Sequence, residues 1–176
     1  VDYRVEFIDK KYNKLIYSNN IKGSWWSKST KTYNIDWRIK ITGNEFEYIH
    51  DLNFENKKVL ISFESKSLGD TLAWIPYVEK FRLEKKCNVV CSTFHNSLFK
   101  EQYKEIEFCD PGSVVHNLYA HYRLGLFKKD NKVDYDRHPS NPLKEPLTKI
   151  ASDILGLEYE ELKPRVKQYA EYKTKT

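Results

Sequence analysis

The residues best suited to chemistry sit together in Ser67-Leu68-Gly69-Asp70. A carboxylate at the mouth of a strand can take a proton from an acceptor hydroxyl as that oxygen attacks an electrophile. The same four residues also spell a helix cap. Ser67 would be the N-cap, and Asp70, three positions on, would place negative charge at the positive end of the helix dipole. Both readings hold together only if Asp70 points into a cleft. Gly69 lets a ligand or a second stretch of backbone come close, but a single glycine is not a phosphate-binding fingerprint, and no dinucleotide site is read from it. The histidines are scattered. His95 follows the second apolar run and is the best placed of them. His116 and His121 bracket Leu118-Tyr119-Ala120, where a cleft and an ordinary surface are both open readings. Trp25-Trp26 lies in a polar setting; exposed rings there suit sugar stacking or a peptide, and rings turned inward would cover one end of a small sheet. No Ser-His-Asp, His-x-x-Glu or paired-carboxylate pattern is persuasive.

The elements around these residues read as follows. Residues 59–63 are a short, apolar, β-branched run, expected as a buried strand. From residue 69 to about 86 an amphipathic pattern follows, with Leu72, Ile75, Val78 and Phe81 about one turn apart. Pro76 lies inside it and is expected to kink it or tighten its first turns. Strand, tight turn and helix open a Rossmann-like α/β domain, whose ligands bind at the carboxyl ends of the strands. Further strands are expected at 88–92 and 105–108, a short helix at 95–100, and an aromatic, strand-like stretch at 118–127. A polar loop follows at 128–142, then a helix at 147–155 closed by Gly156. Ahead of this unit, residues 1–57 read as β-rich. Residues 3–8 and 15–18 are strand-like, and 33–41 with 45–50 form a hairpin across Gly43-Asn44. The expected fold class is therefore α/β: a small antiparallel β domain (1–57), a Rossmann-like domain (58–166) and a polar tail or linker (167–176).

The 176 residues are enough for one good core or two small ones. With 13 tyrosines and 4 tryptophans the chain is not a disordered segment. The net charge of +5 comes from interleaved basic and acidic residues. That balance permits an acidic partner such as a nucleotide diphosphate without calling for nucleic acid. No apolar run reaches membrane-spanning length and no signal-peptide pattern is present, so no membrane partner is expected. Cys87, Cys91 and Cys109 are odd in number and lack motif spacing for a metal; buried free thiols in a reducing cytoplasm are the expectation. The chain begins with valine and contains no methionine, which predicts a piece of something longer or a start that is not shown.

Residues 59–79, with Cys91-Ser92-Thr93-Phe94-His95-Asn96, Pro111-Gly112-Ser113 and residues 151–159, resemble the bacterial autotransporter heptosyltransferases, a heptosyltransferase-like group with the GT-B fold. Ile16-Tyr17-Ser18 and Asp36-Trp37 resemble that family's amino-terminal β unit. The resemblance covers nearly the whole chain and implies the amino-terminal portion of such an enzyme. It implies a protein O-glycosyltransferase with ADP-heptose as donor and a Ser or Thr hydroxyl of an autotransporter passenger protein as acceptor. Asp70 would be the catalytic base, its pKa raised by partial burial against Trp74 or Phe94. Ser67, Gly69, Thr71, Trp74, His95, Trp25 and Trp26 would line the acceptor side. The donor would be bound mainly by a second Rossmann-like domain beyond residues 161–167, where iron-holding cysteines would also lie, so no metal ligand is assigned here. A cytoplasmic homo-oligomer is implied for the full-length protein, and the portion alone is expected to be inactive. The rival reading is a non-catalytic peptide- or glycan-binding module.

Overall fold

The computed structural model describes residues 2–167, so nearly all of the expected polar tail lies outside the described residues. Alternating side chains in the first 51 residues build a four-stranded antiparallel sheet. Its strands are β1 (Asp2–Asp9), β2 (Lys14–Lys22), β3 (Trp37–Thr42) and β4 (Glu47–Asp51), in the order β2-β1-β3-β4. Period-two geometry puts Phe7, Tyr17 and Trp37 on one face. There the Phe7 ring meets each of the other two at 6.0 Å.

The hairpin expected from residue 33 starts only at Trp37. Its leading residues alternate correctly, but their hydrogen bonds go elsewhere. Thr32 N–H donates to Asp136 O at 2.8 Å and Asn34 N–H to Ile154 O at 2.8 Å. A strand needs its backbone donors for the ladder, and these are spent on the other unit.

That unit is a four-stranded parallel sheet: β5 (Lys58–Phe63), β6 (Asn88–Ser92), β7 (Glu107–Cys109) and β8 (Ala120–Leu124), ordered β7-β6-β5-β8. Two strands step outward on one side of β5, and the fourth crosses back to its other side, as in a Rossmann half. The ambiguous stretch 118–127 thus contains β8. The expected helix at 95–100 is a short 3-10 turn, Asn96–Leu98, and the polar loop after β8 holds a small hairpin, Lys128–Lys129 with Lys132–Val133.

Helices α1 (Leu68–Lys85) and α2 (Leu147–Leu155) lie on one face of this sheet. Val59, Ile61 and Phe63 of β5 face them, with Val89 and Cys91 from β6 and Tyr122 and Leu124 from β8. From α1 come Trp74, Ile75, Tyr77, Val78 and Phe81, all fully buried. Pro76 is inside α1 and does not end it.

The two units meet at Asn34. Its Nδ2 donates to Leu155 O at 2.9 Å, and its Oδ1 accepts from the Tyr122 hydroxyl at 3.1 Å. Opposite it, α2 ends at Gly156 with φ of 64°. A Cβ at Gly156 would stand 2.9 Å from Asn34 O, so both the left-handed turn and the close approach require glycine there.

Asn34→Ala is expected to cost about 1–3 kcal/mol in denaturant unfolding, because it strands a buried hydroxyl and a helix-end carbonyl. A second prediction concerns His138, which is 2% exposed and whose Nε2 accepts from Phe127 N–H at 2.9 Å. Burial holds its pKa below the ordinary 6.5. The unfolded chain therefore binds that proton more readily, and stability should decline as pH falls below about 6.5. Thermal melts at pH 7.5 and 5.5 check this, and His138→Gln should narrow the difference.

Candidate functional site

At the carboxyl edge of the parallel sheet, the turns after β5, β6 and β7 come together. The β5 turn is shaped by its small polar residues. Ser67 is extended (φ −67°, ψ 129°) and caps α1, its Oγ accepting from Asp70 N–H at 3.4 Å. Ser67 N–H in turn donates to Ser65 Oγ at 3.1 Å. The Ser67 carbonyl accepts both the amide and the hydroxyl of Thr71, at 3.2 and 3.0 Å. Asp70 is partly exposed, and its carboxylate makes no hydrogen bond or ion pair with any described residue. The cap therefore uses the Asp70 amide and leaves its carboxylate available to a ligand. Gly69 is exposed, and a Cβ there would meet only Ser67 Oγ at 3.6 Å, so the surface beside Asp70 is open.

The β6 turn carries His95, whose Nε2 lies 2.9 Å from Lys66 O. Beneath it, buried Thr93 and Asn96 are joined through Asn96 Oδ1, which accepts the Thr93 amide at 3.0 Å and its hydroxyl at 2.9 Å. Asn96 Nδ2 donates to Cys109 O at 2.8 Å, bringing in the β7 end. Ser67, Gly69, Asp70 and His95 are thus brought to one edge.

Two expected acceptor residues are corrected. Thr71 and Trp74 are both 0% exposed, so neither has surface to offer. Trp74 instead donates its indole N–H to Leu147 O at 3.0 Å and sets its ring edgewise to Phe63 at 5.7 Å. It is the packing support of the site. Trp25 and Trp26 are 70% and 74% exposed, so they do not cover the end of the sheet. They lie in the β2–β3 connection.

Sequence reading missed a second polar group, on the sheet face away from the helices. Ser62 Oγ is 2.8 Å from His121 Nε2, and Glu64 makes a two-pronged pair with Arg123 at 2.8 and 2.7 Å. Hydrogen bonding from Arg123 holds the Glu64 carboxyl below the usual carboxylate range. Burial, aided by Arg123, pushes His121 down. The signal was available: Ser62 and Glu64 alternate with apolar Ile61 and Phe63. His116 is exposed. A cleft of about 1170 Å³ lies away from Asp70, where Tyr12, Lys14, Asn34, Phe54, Lys86 and Asp153 meet between the two units.

Cys87 and Cys91 are buried, and Cys109 is partly buried. Burial pushes the Cys87 thiol up to about 11 and that of Cys91 well above its ordinary value, so neither is an activated nucleophile.

The sequence matches no protein-family model. Over 178 residues it is 32% identical to the autotransporter heptosyltransferase Aah of Escherichia coli, covering 98% of this chain and 44% of that protein. It is 33% identical over 142 residues to the inactive autotransporter heptosyltransferase BimC of Burkholderia thailandensis, covering 78% of this chain and 33% of that one. The crystal structure of the iron-containing dodecameric glycosyltransferase TibC from enterotoxigenic E. coli superposes with a TM-score of 0.86 at 27% identity, over 97% of this chain and 45% of the other. A TibC complex with ADP-D-beta-D-heptose superposes with a TM-score of 0.84 at 27% identity, over 94% and 44%. The chain is a homologue of the autotransporter heptosyltransferases and shares their glycosyltransferase fold. It spans less than half the length of the relatives it matches.

TibC contains iron, and the residues described here do not fit such a centre. No three His, Cys, Asp or Glu side chains among the described residues are grouped to hold a metal ion. No helix among them is long and apolar enough to cross a membrane.

Trp74→Ala is expected to destabilise the protein by about 3–5 kcal/mol, the usual cost of emptying a large buried aromatic site. Trp74→Phe, which keeps the ring but loses the bond to Leu147 O, should cost less. Denaturant unfolding of both variants checks the order.

Proposed function

We propose that this chain is the acceptor-side part of a protein O-glycosyltransferase, with Asp70 as general base. The observation that carries this reading is the unpaired Asp70 carboxylate at the carboxyl edge of a parallel sheet, in a homologue of the autotransporter heptosyltransferases. Asp70 takes the proton from a Ser or Thr hydroxyl of an autotransporter passenger as that oxygen bonds to the anomeric carbon of ADP-heptose. The bond from that carbon to the diphosphate breaks, and its electron pair leaves with ADP. A positioned base of this kind contributes roughly 10²–10⁴-fold in rate. Ser67 and Gly69 border the acceptor hydroxyl, and Trp25 and Trp26 offer rings to the passenger further away. Residues 1–57 and 58–166 act as an acceptor-holding β domain and the first Rossmann-like domain of a GT-B enzyme.

The donor is held mainly by residues outside this chain, so the chain alone is inactive. The full-length protein works in the cytoplasm as a homo-oligomer, in line with the dodecameric state of TibC. A second reading is a binding module without catalysis, favoured by the existence of an inactive homologue, BimC.

The two readings part on one experiment: intact-mass analysis of a passenger co-expressed with the full-length parent, wild type against Asp70→Ala at equal soluble yield. Heptose-sized additions with the wild type and none with the variant are expected. Additions unchanged in the variant would reduce Asp70 to a helix-cap residue. No additions with either protein would favour the binding module.

A further inference from the structure

We infer that His95 is a positioning residue for Asp70, latching the turn that launches α1 onto the loop after β6. The inference rests on the reading of Asp70 as the base. The turn needs a latch because packing does not hold it. Lys66, Ser67, Leu68 and Gly69 are all exposed, Leu68 at 44%. The bonds of Ser65 and Ser67 stay within the turn and the first turn of α1. Past Glu64, the hydrogen-bond and ring contacts that it makes with other described elements both run from Lys66 to the loop after β6. They are the Lys66 carbonyl bonded to His95 Nε2, and the Lys66 ammonium 5.5 Å above the Phe94 ring.

The other end of the latch is anchored in the core. His95 N–H donates to Thr93 Oγ1 at 2.9 Å, and Thr93 is 1% exposed. Thr93 bonds to Asn96, 7% exposed, and Asn96 reaches both Cys109 O and, at 3.4 Å, Asp110 Oδ1. The ends of β5, β6 and β7 thereby become one hydrogen-bonded edge, and Asp70 sits four residues beyond the Lys66 end of it.

The bond also fixes the chemistry of the ring. A carbonyl oxygen can only accept, so Nε2 carries a proton. Nε2 is committed to Lys66 and is not free to act as a base toward an acceptor. His95 therefore holds the turn, and the acceptor-contacting role expected from the sequence passes to its neighbours.

The test uses the full-length parent with a passenger acceptor and four variants: His95→Ala, His95→Gln, Asp70→Asn, and His95→Ala combined with Asp70→Asn. Each is read by kcat and acceptor KM, and by hydrogen–deuterium exchange of a peptide spanning residues 66–71. His95→Ala should lower kcat about 10–100-fold, the usual consequence of a misplaced catalytic group, with little change in KM and faster exchange. His95→Gln, whose amide nitrogen reaches the Nε2 position, should recover both. The double variant should be no slower than Asp70→Asn, since a latch acts only through what it positions.

A raised KM at unchanged kcat would make His95 an acceptor contact and overturn the proposal. So would a His95→Gln variant as slow as His95→Ala that also loses a limb of the pH–rate profile, which would mark acid–base chemistry. Unchanged exchange in His95→Ala would show that the latch is not what orders the turn. An undiminished rate in Asp70→Asn would instead remove the base reading itself, whatever the exchange shows.

Discussion

The burial of α1 against β5 is the constraint on which the rest of the structure depends. Trp74, Ile75, Val78 and Phe81 are sealed against Val59, Ile61 and Phe63, which fixes the axis and rotation of the helix. Asp70 lies one turn before Trp74. Its place at the strand ends follows from that rotation together with the extended Ser67, which stops the helix from starting earlier. The Asp70 carboxylate is thus placed by buried groups of the core. Thr71 and Trp74, expected on the acceptor side from the family resemblance, are members of that support.

The second constraint is the seam between the two sheets. Asn34 closes it with polar bonds to α2 and β8, beside the apolar contact that Phe54 makes with Phe81 and Tyr122. Such bonds fix orientation closely, because a buried amide left without partners costs more than its bonds gain. The glycine at position 156 is part of the same fit, being the residue that lets the α2 turn and the Asn34 backbone come within contact. The seam lies away from Asp70, which leaves the strand ends clear.

Much of this was legible in the chain. A β-branched run followed by helical spacing announced β5 and α1, and the Gly156 stop announced the end of α2. The failures have physical causes. The stripe Leu72, Ile75, Val78, Phe81 predicts a helix with one buried side, yet Thr71, Trp74 and Tyr77 are buried as well. The reason is a second cover: the segment after α2 crosses the helix, with Tyr77 Oη donating to Glu160 O at 2.7 Å and Lys80 Nζ to Glu158 O at 2.8 Å. Periodicity reports one buried face and cannot report a strap arriving from 80 residues away. The strand expected from residue 33 failed for the same kind of reason, since its donors serve α2 and the loop at Asp136. The His95–Lys66 bond joins a side chain to a carbonyl across two loops, and no residue pattern encodes it.

The distribution of stability over these residues bears on how fold and activity can part company in such a family. The core of α1 and the parallel sheet carries the folding energy. Asp70 and the loop around it are exposed or half-exposed and contribute little; substitutions at such positions usually change stability by no more than about 0.5 kcal/mol unless a cap is lost. A chain can therefore keep every strand of this architecture while losing the carboxylate proposed as its base. Fold likeness then says where a base would stand, and only the carboxylate itself says that one is there. In this chain the turn is extended, capped and latched, and the carboxylate is present without a partner among the described residues. An ornamental cap would gain from its carboxylate accepting an N–H at the helix end. Here Ser67 does that work, and Asp70 is left facing outward.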